Sequence, residues 1–140
     1  MRAIPIIGVA AILFDERRRV LLLLRENKPD IAFPDHWTLV GGHVRPGETP
    51  DRAMEREMRE EIGLVPRVWP WLCYNRLDPP NTWVRQHLYY GFLHHDADIR
   101  LGEEIAYRWV PIRHLNRYRI GFRFDEPIVL LWRAQPWLAS

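Results

Sequence analysis

The stretch from Gly42 to Leu64 constrains this chain more than any other. A glycine-bearing turn feeds a Pro-started segment in which Glu57, Glu60 and Glu61 crowd together. At 100° per residue the three carboxylates fall within roughly a 100° arc of a helix. Met54, Met58 and Ile62, at i, i+4 spacing, form an apolar stripe beside that arc. The glutamates therefore belong at the edge of a core. Like charges at i,i+3 and i,i+4 cost about 0.2–0.5 kcal/mol per pair. A chain that accepts this repulsion beside its core has a cation to place there, and hard divalent ions such as Mg²⁺ or Mn²⁺ take carboxylate oxygens. A solvated, Glu-rich surface helix would show the same glutamates, so the count alone does not decide.

The helix ends are also written out. Thr49 can cap, Pro50 has its φ preset for the first helical position, Asp51 faces the positive end of the dipole, and Gly63 suits a left-handed cap. On the outward face Glu55 and Arg59 are spaced to pair, as are Arg56 and Glu60. The whole stretch fits the pattern G-x5-E-x7-R-E-apolar-x-E-E-x-G-apolar, met by Gly42, Glu48, Arg56, Glu57, Met58, Glu60, Glu61, Gly63 and Leu64. At residue frequencies of about 5–7% per fixed identity, a chance match in one chain falls below roughly one in ten million.

That pattern resembles the box of the Nudix hydrolases, complete at every fixed position, and the resemblance decides for the cation. It implies a Nudix-type α/β/α sandwich with a mixed β-sheet, the box forming loop–helix–loop. It also implies roles. Glu57 and Glu61 match metal ligands, with Glu60 a further ligand or the general base, and Gly41 matches a glycine whose carbonyl binds metal in related enzymes. Glu48 and Arg56 match residues that orient the box glutamates. Glu104, and after it Glu103, stands where relatives carry an acidic residue in a loop before a Trp-containing strand, acting as base or extra ligand; whether Glu60 or Glu104 takes the proton stays open. Arg25 matches an arginine that helps organise the substrate side. The chain departs from the family's usual pattern at Val40, where proline is commoner, and at Arg45, where an acid is commoner.

Composition bounds the rest. With 140 residues, 47% apolar and 27% charged, the chain suits one globular domain over residues 1–140. The net charge of +2, with Lys28 the sole lysine, is too small a basic excess to argue for duplex nucleic acid. Cys73 is the only cysteine and sits in an apolar run, which reads as a buried, inert thiol. The apolar stretch Ile6 to Phe14 is too short to span a bilayer, and the N-terminus lacks a signal-type segment, so a cytoplasmic enzyme is expected.

In chain order, Ile4 to Phe14 reads as a strand buried on both faces, and Val20 to Arg25 returns as its hairpin partner. Glu26 to His36 is a loop long enough to be a flap or specificity element. Trp37 to Val40 is a short strand delivering Gly41 and Gly42, which let the backbone approach a ligand. Val65 to Leu77 is extended and leads into a turn at Asp78 to Asn81. Thr82 to His94 reads as a strand with Trp83, Arg85, His87 and Tyr89 on one face. Rings and donors of that kind suit a nucleoside pocket, and equally an aromatic face packed under a helix. His94 and His95, if on the strand, point to opposite faces and cannot easily share an ion; a strand end entering a loop is the other reading. Ile105 to Pro111 is a further strand, Ile112 to Tyr118 a short helix, and Asp125-Glu126-Pro127 a cap-plus-Pro start for a helix over Pro127 to Ala134. Arg117, Arg119 and Arg123 could contact phosphate or form a solvated patch.

The expected activity is Mg²⁺-dependent cleavage of a diphosphate linkage, with Mn²⁺ an alternative ion. The expected substrate is a nucleoside triphosphate, oxidised or not, hydrolysed to monophosphate and pyrophosphate. ADP-ribose or a nucleotide sugar is the rival, since relatives with that activity tend to carry a proline 15 residues past the box and Pro79 stands there. A Nudix-fold nucleotide-binding module without turnover is the alternative from another class, although such modules usually show broken boxes. A homodimer is a further expectation, through exposed Trp and Tyr side chains.

Overall fold

Strand β1, Ile6–Phe14, is the axis from which the sheet is built. The computed structural model describes residues 6–138, so Ile4 and Pro5 of the expected strand lie outside the described residues. Alternation along β1 sends Val9, Ala11 and Leu13 to one face and Ala10, Ile12 and Phe14 to the other, all at most 2% exposed. A strand buried on both faces can be apolar throughout, as this one nearly is.

Strand β2, Val20–Leu24, folds back on β1, but only Phe14↔Val20 pairs before the two diverge. After β3, Trp37–Thr38, strand β4 (Val40–His43) takes over the vacated edge of β1 and pairs from Gly8↔His43 to Ala11↔Val40. Glycine makes this approach possible: a Cβ on Gly41 would stand 2.1 Å from the Val9 carbonyl oxygen. Helix α1 (Pro50–Ile62) follows, then β5 (Val68–Asp78) and β6 (Thr82–Phe92) as an antiparallel pair. Strand β6 runs parallel to β1 in unbroken register from Ile6↔Val84 to Phe14↔Phe92. Strand β7, Ala106–Val110, pairs along the whole of β2. A 3-10 turn over Ile112–Arg117 and helix α2 (Asp125–Ala134) complete the main elements. The sheet is mixed, in the order β3-β2-β1-β6-β5, with β4 on β1 and β7 on β2.

Each face of the sheet carries its own core. Met54, Met58 and Ile62 of α1 pack on Val9, Ala11, Leu13, Leu21 and Tyr89. Ile128 and Leu131 of α2 pack on Ile12, Phe14, Leu22 and Leu88 from the other side. This is the expected α/β/α arrangement, and no helix among the described residues is long and apolar enough to cross a membrane.

Three local expectations change. Strand β6 stops at Phe92, so His94 and His95 follow the strand and the opposite-faces argument does not apply to them. Helix α2 starts at Asp125 without a side-chain cap, because the 3-10 turn Gly121–Arg123 runs into it and leaves Phe124 already in a helical conformation. Cys73 is exposed, since β5 is an outer strand and alternation turns this residue away from the core, across from His87.

The layering predicts unequal costs for two helix truncations. Met58→Ala, fully enclosed between α1 and the sheet, should lower stability by about 2–5 kcal/mol. Leu130→Ala, on the 56% exposed face of α2, should stay within about 0.5 kcal/mol. Urea unfolding midpoints of the two variants measure the difference.

Candidate active site

Helix α1 begins and ends where its sequence says it should. The Thr49 hydroxyl accepts from the Arg52 amide at 3.2 Å, Pro50 opens the first turn, and Gly63 closes the helix at φ 72°. With Met54, Met58 and Ile62 buried, the rotation of the helix is fixed and so is the direction of each glutamate. Glu61 points back to the β4 turn, where its Oε1 accepts from the Gly41 amide at 2.6 Å. Glu57 lies against Gly42, where a Cβ would meet the carboxylate at 2.4 Å. The adjacent glycines therefore make a cradle that any larger residue would fill with its own side chain. Glu60 faces outward, 47% exposed.

Arg56 ties these groups together. Its Nε and Nη2 clamp the Glu48 carboxylate at 2.7 and 2.9 Å, and Nη2 also donates to the His43 carbonyl at 3.0 Å. Its Nη1 donates to Glu57 at 2.8 Å and to Glu60 at 3.2 Å. A planar guanidinium suits this forked arrangement where an ammonium would not. The Arg56 hydrogen bonds, helped by the Arg45 amide, hold Glu48 down to about 2, so it is charged throughout the physiological range. The Arg45 side chain lies 3.7 Å from Glu60, placing a positive charge over the outer carboxylate. Glu55 and Arg59, though spaced to pair, form no ion pair among the described residues.

The opposite wall comes from the loop before β7. Its backbone is fastened to α1 by Arg100 N–H on the Ile62 carbonyl (2.9 Å) and Gly102 N–H on that of Glu61 (3.2 Å). It is fastened to β2 by Ile105 N–H on the Leu24 carbonyl at 2.9 Å. Glu104 is thereby held facing Glu61, and its buried Oε2 has no hydrogen-bond partner. Burial first, and the facing Glu104 second, push the Glu61 carboxyl well above the usual range. Burial also raises Glu57 against the pull of Arg56. Burial lowers Arg25 from its ordinary value, against the nearby charges of Glu61 and Glu104, which favour the cation.

Two desolvated carboxylates, an unpartnered carboxylate oxygen and a glycine cradle are what a divalent cation would complete, and an all-oxygen donor set suits Mg²⁺ or Mn²⁺. A cleft of about 550 Å³ opens over this point, within the range of small-molecule sites. Arg25, Gly41, Gly42 and Glu57 line it, with Arg76, Asp78, Gln86, Phe122 and Phe124. Arg76 forks onto Asp78 at 2.8 and 3.1 Å, donates to Gln86, and lies over the Phe122 and Phe124 rings at 5.0 and 5.5 Å.

The structure thus brings together Arg25, Gly41, Glu48, Arg56, Glu57, Glu61 and Glu104, with Glu60 on the outer flank, whereas Glu103 is exposed. It does not bring Trp83, Arg85, His87 and Tyr89 to the cleft. Trp83 and Arg85 are exposed, His87 faces Cys73 at 3.8 Å, and Tyr89 is buried beneath α1, donating to Asp51 at 2.7 Å. On that face of β6 only Tyr89 packs against α1, and the cleft is lined by Val84 and Gln86 from the other face. Gln86, a lone amide among Val84 and Leu88, was the available sign; the roles of Arg76 and Phe122 depend on folding and left none. Arg117, Arg119 and Arg123 stay outside this cleft, Arg119 pairing with Asp35 at 3.1 Å.

The NUDIX domain family model matches residues 5–134, and the chain belongs to the Nudix family of pyrophosphohydrolases. Among curated relatives, the nucleoside triphosphatase NudI of Escherichia coli O81 (strain ED1a) is 33% identical over 102 residues, covering 64% of this chain and 72% of that protein. Among solved structures, the MutT protein of Methanosarcina mazei Go1 superposes with a TM-score of 0.82 at 25% identity, covering 96% of this chain and 98% of the other. The NUDIX domain of Shewanella oneidensis NrtR, solved with ADP ribose, has a TM-score of 0.79 at 20% identity, covering 96% and 90%. At that identity the likeness concerns the fold.

The raised Glu61 has a measurable consequence for stability. A carboxyl whose folded value lies above its unfolded 4.5 favours the folded state at low pH, and the cost of ionising it grows as pH rises past 4.5. In metal-free protein, Glu61→Gln should therefore match the parent near pH 4.5 and melt at a higher temperature than the parent by pH 8. Saturating Mg²⁺ should reverse the order at pH 8. Thermal melts at the two pH values, with chelator and with Mg²⁺, test both signs.

Proposed function

We propose that this single-domain chain is a Mg²⁺-dependent enzyme, able to use Mn²⁺, that hydrolyses nucleoside triphosphates to monophosphate and pyrophosphate. The observation that carries this is the convergence of Glu57, Glu61 and the orphaned Glu104 Oε2 beside the Gly41–Gly42 cradle, under a cleft of nucleotide size. The substrate class is supported by the likeness to a nucleoside triphosphatase at 33% identity.

Glu57 and Glu61 would hold the ion through carboxylate oxygens, with the Gly41 carbonyl as a further donor. When bound, a divalent ion neutralises charge on the diphosphate oxygens and lowers the pKa of water. Water adds to one phosphorus, the bridging P–O bond breaks, and the leaving phosphate keeps the electron pair. Glu104 takes the water's proton at Oε2, the atom that lacks any other partner. Glu60, half exposed and shared between Arg56 and Arg45, is the second candidate for that proton or a further ligand. Arg56 fixes Glu48 and Glu57 in position, and Arg25 offers positive charge to the substrate from the cleft wall. Asp78 and Gln86 supply hydrogen-bonding groups for the nucleoside, and Phe122 and Phe124 back the Arg76 guanidinium beside them.

ADP-ribose or a nucleotide sugar is the second reading, favoured by Pro79, which lines the same cleft. A binding module without turnover fits poorly with a complete set of box carboxylates. A cytoplasmic setting agrees with the lack of a long apolar helix among the described residues. A homodimer is supported by Leu77 and Trp83, cross-strand neighbours on β5 and β6 that are 50% and 56% exposed.

Chromatography of products from a nucleotide panel with Mg²⁺ separates the substrates: pyrophosphate from triphosphates is expected, whereas AMP from ADP-ribose alone would favour the rival. Glu57→Gln and Glu61→Gln should each lower turnover by at least about 100-fold, as loss of a metal-ligand set does. Full activity in both would overturn the site. Arg56→Lys should lose about 10- to 100-fold, because an ammonium cannot reproduce the fork onto Glu48.

A further inference from the structure

A second cluster of ligating side chains lies at the other end of β1. Strands β1 and β6 are parallel and end on the same rung, Phe14↔Phe92, which Leu93 N–H extends by donating to the Phe14 carbonyl at 2.9 Å. The residues leaving these strands are therefore held side by side. On β1 that exit is an Asp15–Arg19 turn fixed by the buried Asp15 carboxylate. Its Oδ1 accepts from the Arg17 and Arg19 amides at 3.0 and 2.8 Å, and its Oδ2 from Arg19 Nε at 2.7 Å. On β6 the exit is Leu93-His94-His95-Asp96, closed by Ala97 N–H on the His94 carbonyl at 3.0 Å. Glu16 and the two histidines are thus placed by rigid structure on both sides.

Their side chains converge. Glu16 Oε1 accepts from the His95 amide at 3.0 Å, and Glu16 Oε2 meets both His94 Nε2, at 2.9 Å, and His95 Nδ1. The imidazole rings lie side by side with centroids 4.9 Å apart and planes 35° apart. One carboxylate oxygen and two imidazole nitrogens, one from each residue, all fall within 4.8 Å of one another. The far nitrogen of His94, Nδ1, faces the Asp96 carboxylate. A carboxylate behind a ligating imidazole fixes its tautomer so that the other nitrogen presents a lone pair forward, an arrangement that recurs around bound metals.

We propose that Glu16, His94 and His95 form a second cation site, separate from the box, for a late first-row divalent ion, Zn²⁺ foremost. Two imidazole nitrogens and one carboxylate oxygen are a borderline donor set that suits Zn²⁺, Co²⁺ or Ni²⁺, whereas the all-oxygen box suits Mg²⁺. The side chains are 54% (His94), 37% (His95) and 36% (Glu16) exposed, leaving room for water to complete the coordination. The site is open and exchangeable rather than a closed structural centre. Roughly 13 Å of extended strand separates Phe14 from Ala10, which pairs with Gly41 of the box, so the sites do not share ligands. With each loop anchored separately, an ion here would clamp the β1–β2 turn to the β6 exit.

The test is Zn²⁺ titration by calorimetry with Mg²⁺ in excess, on the parent, on Glu57→Gln/Glu61→Gln and on His94→Gln/His95→Gln. The parent and the box variant should bind one Zn²⁺ per chain, and the histidine variant should bind at least about tenfold more weakly while keeping Mg²⁺-dependent hydrolysis. Nitrogen NMR of the parent's imidazoles is independent of any variant: Zn²⁺ should shift His94 Nε2 and His95 Nδ1 selectively. No Zn²⁺ binding by the parent, equal binding by the histidine variant, or unshifted imidazoles would overturn the proposal.

Discussion

The arrangement of the candidate active site depends on one guanidinium. Three carboxylates on one side of a helix repel each other by only a few tenths of a kcal/mol each when solvated. Drawn to the core edge, Glu57 and Glu61 instead each face a desolvation cost of several kcal/mol when ionised. Arg56 answers this for Glu57 directly and recruits Glu48 from the preceding loop as its own counter-charge. Its contact with the His43 carbonyl then ties the helix to the end of β4. Glu61 lies outside that network, relying on the Gly41 amide and meeting Glu104 head-on. The uncompensated part of the cluster is therefore the inner part, where a metal ion would be most useful.

The fold supplies what the helix cannot. Because β2 leaves β1 after one pair, β4 can bring two glycines onto the middle of the central strand and present their backbone to the helix. Because the loop before β7 is anchored to both α1 and β2, Glu104 arrives from a remote part of the chain with little freedom. The parallel pairing of β1 and β6 sets Gln86 beside Gly8 under the cleft at one end and His94 and His95 beside Glu16 at the other. One strand pair thus organises two chemically different ends.

How much of this was legible follows from the range of each interaction. The box was readable because helix period, capping and the glutamate arc are all local, and Thr49, Pro50 and Gly63 behave as their chemistry dictates. The burial of β1 on both faces was readable from its unbroken apolar run. The face of β6 that lines the cleft was not: alternation separates Trp83 from Val84 but cannot say which set turns to the cleft. The strand end entering a loop at His94 and His95 was readable, although β6 stops two residues earlier than its apolar pattern suggests, at Phe92. Arg76 over Phe122 joins segments far apart in the chain, and no local pattern announces it.

We propose that the box carboxylates form a divalent-cation site held in place by Arg56. Electron paramagnetic resonance of Mn²⁺ reads this directly, since the free aqua ion gives a sharp signal that protein binding removes. Titrating parent protein into Mn²⁺ should deplete the free signal, and the Glu57→Gln/Glu61→Gln double variant should leave most of it. Equal depletion by parent and double variant would contradict the account, because the cation would then be held by groups other than those the helix presents.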